Sequence, residues 1–272
     1  MRAVEHTPLI RVAVPWAPDP LAMVCRPFYA HRDGEPGCEF SNLYPAPVAI
    51  DTERGLAGMG PDETFLFNRD GIVLFPSTEN AFQAAKALYP VHDHFVRTLS
   101  PVDAARAGQG RLAMNADQRR LYQSLGGIPF QKKGAKRRKY VFSASGRFAL
   151  RPGWEALKRE VMFLALEAKF DQHPGLWAGA LEAETPTFFI EHTRNDAQWG
   201  DGRDGMGTNF LGKLLTLLLC SRRESCLLPR TNDKYTWWML RPNIEVCSAF
   251  YETLQRKLAP SDPALERGGN PE

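Results

Sequence analysis

Short apolar runs, several of them alternating with polar residues, predict the strands of this chain. They occupy residues 25–31, 48–50, 65–67, 72–75 and 188–191. The run at 65–67 is separated from the run at 72–75 by Asn68-Arg69-Asp70-Gly71. Because Asp-Gly tolerates the positive φ of a tight turn, these two runs predict a hairpin.

The three-to-four-residue apolar spacing of helices occurs in four other segments. These begin at residues 78, 101, 154 and 208, and the first, third and fourth extend to about residues 89, 170 and 220. Ser77 or Thr78 can cap the first helix, and Pro90 stops it. Strands and helices alternate irregularly, and no internal repeat is present. The pattern therefore favours an α+β fold, a mainly helical single domain with a small mixed sheet, over a doubly wound fold.

Changes in composition predict the boundaries of the domain. Residues 1–25 are rich in proline and lack periodicity, so they are interpreted as an N-terminal arm. Residues 221–272 form a C-terminal extension whose aromatic residues indicate partial packing. Residues 51–63, rich in Gly, Asp and Glu, read as an inserted surface loop.

Composition bounds the class of protein without identifying it. The chain has 272 residues, 43% hydrophobic and 11% aromatic, as in a folded globular protein. A net charge of +3 says little about partners, and five cysteines without a C-x-x-C pair argue against a disulfide framework. No secretory leader and no run of 18 apolar residues is present. We therefore expect an intracellular, cytoplasmic or nuclear, monomeric protein that does not bind membranes.

A glycine-rich loop before the last helix is the first candidate for a ligand site. Gly200–Gly205 satisfies G-x-G-x-x-G, and Gly207–Lys213 satisfies G-x-x-x-x-G-K. The P-loop interpretation fails because Leu214 replaces the required Ser or Thr, and no βαβ unit supports a Rossmann fold. A loop rich in N–H groups before a helix capped by Thr208 or Asn209 can still hold a diphosphate. The alternative is a glycine-rich turn without a ligand.

Five segments together resemble the NADAR (YbiA-like) family. Their order and approximate spacing match from about residue 26 to residue 220. The resemblance thus implies a NADAR domain over residues 26–220, with a long insertion relative to the compact family pattern at about residues 112–146. The segments are Phe40–Leu43, Ser77–Lys86, Leu150–Trp154, Ala168–Phe170 and Glu191–Gly202. The last is long and unusual in composition, so a chance match is improbable.

The resemblance implies an N-glycosidase that acts on nucleotide-like substrates. One branch of the family looks like hydrolases of phosphoribosyl intermediates in riboflavin synthesis, and another removes ADP-ribose from guanine in nucleic acid. We expect this chain to cleave the bond between ADP-ribose and a nucleobase in DNA or RNA, without metal or other cofactor. The alternatives are the riboflavin-type glycosidase and a module that binds ADP-ribose without turnover.

Four residues are the catalytic candidates. Glu79, in the family's Ser-x-Glu motif, is the general acid/base, and its alternative role is to interact with the helix dipole. Lys86 lies two turns further, roughly 10 Å along the helix axis. It is the candidate amine for a Schiff base, with Lys169 as its rival and direct attack by water as the alternative. Asp196 binds ribose hydroxyls or water, or else forms an Asx turn.

Ligand contacts are expected from tryptophans, from cations, and from other polar or glycine residues. The two tryptophans can stack on a base, and the three cations can meet a diphosphate. The full set is Asn42, Gln83, Arg111, Arg151, Trp154, Trp199, Gly200, Asp201, Gly202, Gly207, Asn209 and Lys213.

A basic cluster in the 112–146 insertion suggests contact with nucleic acid. Six cations occur within nine residues: Lys132, Lys133, Lys136, Arg137, Arg138 and Lys139. Such density suits a phosphate backbone or nuclear import, and the alternative is a solvated loop. His92-Asp93-His94 lacks a third ligand, so no metal site is expected.

Overall fold

A computed structural model gives the conformation of most of the predicted domain. It describes residues 24–29, 35, 37–51, 71–132, 139–141, 150–183, 187–193, 195–203 and 205–222. The helices in these ranges are α1 (Thr78–Lys86), α2 (Pro90–Arg97), α3 (Pro101–Gly108), α4 (Ala116–Ser124), α5 (Trp154–Gln172), α6 (Ala178–Glu182) and α7 (Phe210–Arg222). The strands are β1 (Val24–Tyr29), β2 (Val48–Asp51), β3 (Ile72–Phe75), β4 (Ala113–Met114), β5 (Phe130–Lys132), β6 (Lys139–Val141) and β7 (Thr187–His192).

Within the described ranges the strands form three small sheets rather than one mixed sheet. β1 pairs with β7 in parallel, and β2 pairs with β3 antiparallel. β6 lies between β4 and β5 in an antiparallel sheet. The predicted mainly helical α+β fold with small sheets is confirmed. None of the helices in the described ranges is long and apolar enough to cross a membrane.

Helix α1 lies at the centre of the domain and is buried along nearly its whole length. It packs against α2, α3 and α5, and residues Thr78 to Ala85 are all buried. Polar groups buried at this depth need partners. The side chain of Ser77 caps the helix by accepting from Asn80 N, and Asn80 Nδ2 donates to the carbonyls of Val96 and Leu99, each at 2.9 Å.

Several element boundaries differ from the prediction for local reasons. α1 ends at Lys86 rather than near residue 89, because Ala87 is extended and bridges Leu150. Pro90 does not only stop a helix, since it also begins α2, where proline suits the first turn. α4 lies inside the predicted insertion and begins with a capping box of Asn115 and Gln118.

Some predictions concern residues outside the described ranges. They are the arm up to residue 23, residues 52–70 with the first hairpin strand and most of the acidic loop, residues 133–138 of the basic cluster, and the tail from residue 223. The second hairpin strand, β3, pairs with β2 in the described part of the chain.

Strand β7 is joined to the glycine loop and α7 through side chains. Asn209 Oδ1 accepts from Glu191 N at 2.9 Å, and Asn209 Nδ2 donates to Phe189 O at 3.0 Å. Phe189 N donates to Thr216 Oγ1 at 3.0 Å. Asn209 has φ +51°, a left-handed conformation that asparagine tolerates better than most residues. These bonds tie the end of β7 to the start of α7.

Replacing Asn209 by Gly is expected to lower the free energy of unfolding by about 2 kcal/mol or more, since two buried backbone groups lose their partners. Glycine tolerates the positive φ, so this variant isolates the hydrogen bonds from backbone strain. Urea denaturation measures the effect. Asn209→Ala is the matched comparison, and we expect it to be less stable still. A glycine variant as stable as the wild type would contradict the prediction.

Candidate active site

A cleft of about 1150 Å³ lies beside α1 and is the candidate site. Its walls come from α1, α3, the first turns of α5, the end of β7, and the loop that connects β7 to α7. Eight of the predicted site residues line it. They are Asn42, Glu79, Gln83, Lys86, Arg111, Trp154, Asp196 and Trp199.

Glu79 presents a buried carboxylate held by two amides. Asn42 Nδ2 donates to Glu79 Oε2, and Gln83 Nε2 donates to Glu79 Oε1 at 2.8 Å. Burial raises the pKa of Glu79 to about 7, against the lowering effect of Gln83 and of nearby Lys86. The carboxyl group can therefore exchange a proton near neutral pH, as a general acid or base must.

The amine of Lys86 is fixed at the same wall. Its Nζ donates to the carbonyl of Gly108 at 2.8 Å. Gly108 also leaves room for Gln83, because a Cβ there would lie 1.7 Å from Gln83 Oε1. The glycine thus positions both the amine and one of the amides that hold Glu79.

Asp196 and the two tryptophans also line the cleft. Asp196 Oδ1 accepts from Gln198 N at 2.9 Å and from Trp199 N at 2.8 Å, which is the Asx-type turn anticipated as the alternative. Trp154 and Trp199 both pack on Phe82, and their ring centroids lie 5.0 and 5.1 Å, respectively, from that of Phe82. Asp196 thus shapes the loop and also lines the cleft.

Sequence reasoning missed three charged residues of the cleft, Glu155, Lys158 and Glu191. Lys158 Nζ donates to Gln198 Oε1 at 2.9 Å and pairs with Glu155. Glu191 is buried at the end of β7, and its Oε2 lacks a hydrogen-bond partner among the described residues. Burial, followed by the charges of Asp196, Glu79 and Asp201, raises the pKa of Glu191 to about 8. Its place within the Glu191–Gly202 segment was the available signal.

Lys169 does not line the cleft, although it was the rival candidate for the amine. It is fully buried in α5, and its Nζ donates to the carbonyls of Glu39 and Ser41 at 2.6 and 2.9 Å. Burial lowers its pKa to about 7, against the charges of Glu39 and Cys38. Lys169 therefore anchors the segment that carries Asn42.

Two predicted diphosphate cations also lie elsewhere. Arg151 Nε donates to Ala85 O at 2.9 Å, so the side chain binds the last turn of α1 from outside the cleft lining. Lys213 is completely buried in α7. Among the three predicted cations, Arg111 lines the cleft.

The last part of the glycine loop uses its backbone N–H groups internally. The N–H groups of residues 207–211 all donate to carbonyls of residues 197–201. Gly200, Gly202, Gly207 and Asn209 are buried and do not line the cleft. A Cβ on Gly207 would lie 2.5 Å from the backbone of Asp201 and of Gly200, so close packing explains this glycine.

Asp201 binds neighbouring residues of the protein and does not line the cleft. Its carboxylate accepts from Thr193 N at 3.2 Å and lies 2.9 Å from His192 Nδ1. It is fully buried.

The side chains of Lys132 and Lys139, like residues 133–138 between them, lie outside the described part of the chain.

Two known proteins are similar to parts of this chain. N-glycosidase YbiA of Escherichia coli K12 is 36% identical over 142 residues, which cover 52% of this chain and 66% of that protein. Riboflavin biosynthesis protein PYRR of Arabidopsis thaliana is 42% identical over 69 residues, 25% of this chain and 11% of that protein.

The alignment with the E. coli protein thus spans slightly less than two thirds of its length. The solution structure of YbiA covers 73% of this chain and 87% of its own, with a TM-score of 0.43 and 27% identity. The NADAR domain family matches residues 27–218. Since this match covers more than half of the chain, the protein belongs to the NADAR family.

Proposed function

We propose that this protein is an N-glycosidase that cleaves the bond between ADP-ribose and a nucleobase, and so reverses guanine ADP-ribosylation of DNA or RNA. The observation that carries the proposal is the pairing, in one cleft, of an amide-held buried carboxylate, Glu79, with a fixed amine, Lys86. The name of the E. coli relative, N-glycosidase YbiA, supports the reaction class.

Cleavage of an N-glycosidic bond develops positive charge on the sugar and negative charge on the departing base. The carboxylate of Glu79 can stabilise the first and can accept a proton from an attacking water. Asp196 can orient a ribose hydroxyl or that water, because it lines the same cleft. Water then replaces the base at the anomeric carbon.

Lys86 offers a covalent route to the same product. A neutral lysine amine can attack the anomeric carbon while the bond to the base breaks and its electron pair leaves with the protonated base. Opening of the ribose ring at its ring oxygen then gives a Schiff base, which water hydrolyses to ADP-ribose and the free amine. The bond from Lys86 Nζ to Gly108 O holds the amine in the cleft wall. Lys169 is the less favourable nucleophile because its Nζ is committed to two carbonyls away from the cleft.

The size and lining of the cleft support a dinucleotide-like ligand. A volume of about 1150 Å³ exceeds what a single sugar needs and lies at the upper end of ligand pockets. Arg111 and Lys158 supply positive charge for phosphates, and Trp154 and Trp199 supply aromatic surface for a base. The basic cluster of residues 132–139 is proposed to contact the nucleic-acid backbone.

A riboflavin-type glycosidase is the second candidate. The similarity to plant PYRR proteins and to a riboflavin biosynthesis protein of Vibrio vulnificus supports it, over about a quarter of this chain. A phosphoribosyl intermediate has one phosphate and a smaller sugar moiety, so it would fill less of the cleft. A comparison of kcat/KM on the two substrates, measured with the same preparation, distinguishes the two candidates.

Glu79→Gln is expected to reduce release of ADP-ribose from a guanine-ADP-ribosylated oligonucleotide by about 10²-fold or more, the usual contribution of a general acid/base. The amide keeps the size of the side chain, so ADP-ribose should still bind. Mass spectrometry of the oligonucleotide and calorimetry with ADP-ribose measure the two effects. Asp117→Asn, at an exposed carboxylate on α4, is the control. Failure of the wild type to act on the oligonucleotide or the riboflavin intermediates, with ADP-ribose bound, would leave a binding module.

Borohydride added during turnover is expected to trap an ADP-ribosyl adduct on Lys86 if the covalent route operates. Lys86→Arg keeps the positive charge but cannot form a Schiff base, so it should yield no adduct. Lys169→Arg is the matched control, and an adduct should still form on Lys86 in that variant. Peptide mapping of the trapped protein identifies the lysine. An adduct on Lys169 would overturn this assignment, and no adduct at all would favour direct attack by water.

A further inference from the structure

We propose that Glu191 is the proton donor to the departing base, while Glu79 serves as the base that receives a proton from water. This inference rests on the proposed glycosidase function and assigns separate roles to two carboxyl groups of one cleft. It adds a catalytic residue that the motif analysis did not select.

The surroundings of Glu191 favour its neutral, protonated form. The side chain is 7% exposed and lines the cleft, and Oε2 has no hydrogen-bond partner within the described ranges. An ionised carboxylate left without a donor at this depth is strongly destabilised. Its protonated form can instead donate a hydrogen bond to a ligand in the cleft. The raised pKa of Glu191 agrees with this geometry.

Glu79 has the opposite surroundings. Both of its carboxylate oxygens accept hydrogen bonds from side-chain amides, and Lys86 lowers its pKa. Amide donors stabilise the ionised form of a carboxylate. When their environments differ in this way, the carboxyl group whose ionised form accepts hydrogen bonds acts as the base, and the other acts as the acid.

The charged groups that shift the pKa of Glu191 are all negative. Asp196 and Asp201 approach it from the glycine loop and Glu79 from α1, and all three raise its pKa. Lys86, Lys158 and Arg111 line the same cleft, and α7, which packs on β7, contributes the buried Lys213. Cations of the cleft wall can meet phosphates of the ligand, and the acidic groups then keep the proton on Glu191.

The backbone of Glu191 is held rigidly for this task. Its N–H donates to Asn209 Oδ1 at 2.9 Å, and its carbonyl accepts from Asp201 N at 2.9 Å. A residue on a strand fixed from both sides loses little entropy on binding substrate. The glycine loop therefore acts on the reaction by fixing Glu191.

The proton transfers balance over the hydrolysis. The O–H bond of Glu191 breaks as its proton moves to the base, and the electron pair of the glycosidic C–N bond leaves with the base. A water oxygen bonds to the anomeric carbon and transfers a proton to Glu79. Free base and ADP-ribose result, and a proton passes from Glu79 to Glu191 through solvent to restore the starting state.

The pH dependence of kcat/KM tests these roles. Glu79 must be ionised and Glu191 protonated, so activity should rise as pH increases through about 7 and fall as pH increases through about 8. Glu191→Gln is expected to lower kcat/KM by about 10²-fold or more and to abolish the fall at high pH. Glu191→Asp should recover part of the rate and keep the fall. Asp117→Asn should match the wild type.

The outcomes separate this inference from the proposed function. A wild type without turnover on any N-glycoside overturns the glycosidase and, with it, a donor role for Glu191. A wild-type profile that does not fall at high pH overturns the donor role alone. The same holds if Glu191→Gln retains wild-type kcat/KM while Glu79→Gln loses it.

Thermal unfolding gives a readout that does not require substrate. In the unfolded chain Glu191 ionises near its ordinary pKa of 4.5, but in the folded protein it keeps its proton to about pH 8. The wild type should therefore lose stability relative to Glu191→Gln as pH rises from 4.5 to 8. A difference in Tm that does not change over this range would overturn the proposed protonation of Glu191.

Discussion

The double attachment of Asn42 to Glu79 is the constraint on which the candidate site depends. The carbonyl of Asn42 accepts from Glu79 N at 3.0 Å, and its side-chain amide donates to the Glu79 carboxylate. On the other side, the fully buried amine of Lys169 holds the carbonyls of Glu39 and Ser41. Residues 39–42 are thus bound both to α1 and to α5. This arrangement places a carboxyl group in the interior while keeping both of its oxygens satisfied.

The cost of burying charge explains why this site is so heavily supported. A buried carboxyl without donors shifts its pKa upward, and one with amide donors shifts less. The cleft contains both cases, in Glu191 and Glu79. Hydrogen bonds among β7, Asn209 and the glycine loop hold Glu191 in place. The capped, buried helix α1 holds Glu79. Stability and reactivity are set by the same polar contacts.

The local patterns of the chain predicted much of the fold. α5, α7, β1 and β7 were found within a few residues of their expected bounds, because long apolar periodicity and clear turn residues persist whatever the neighbours. α2 was missed because Pro90 serves equally to end one helix and to begin another. The strands of the described residues form three small sheets rather than one, because strand pairing between distant segments is a non-local choice, which short apolar runs do not encode.

The sequence by itself determined the family, the mainly helical fold and the helix that carries Glu79, Gln83 and Lys86, since residues three, four or seven apart on a helix share a face. Only the tertiary structure decided which charged residues reach the cleft. It brought Lys158 and Glu191 to the cleft, and it placed Lys169, Arg151 and Lys213 outside the cleft lining, with Lys169 and Lys213 fully buried. It also turned the N–H groups of residues 207–211 inward. Motif spacing cannot foresee this, because a buried polar group takes whichever partner the packing of distant elements provides.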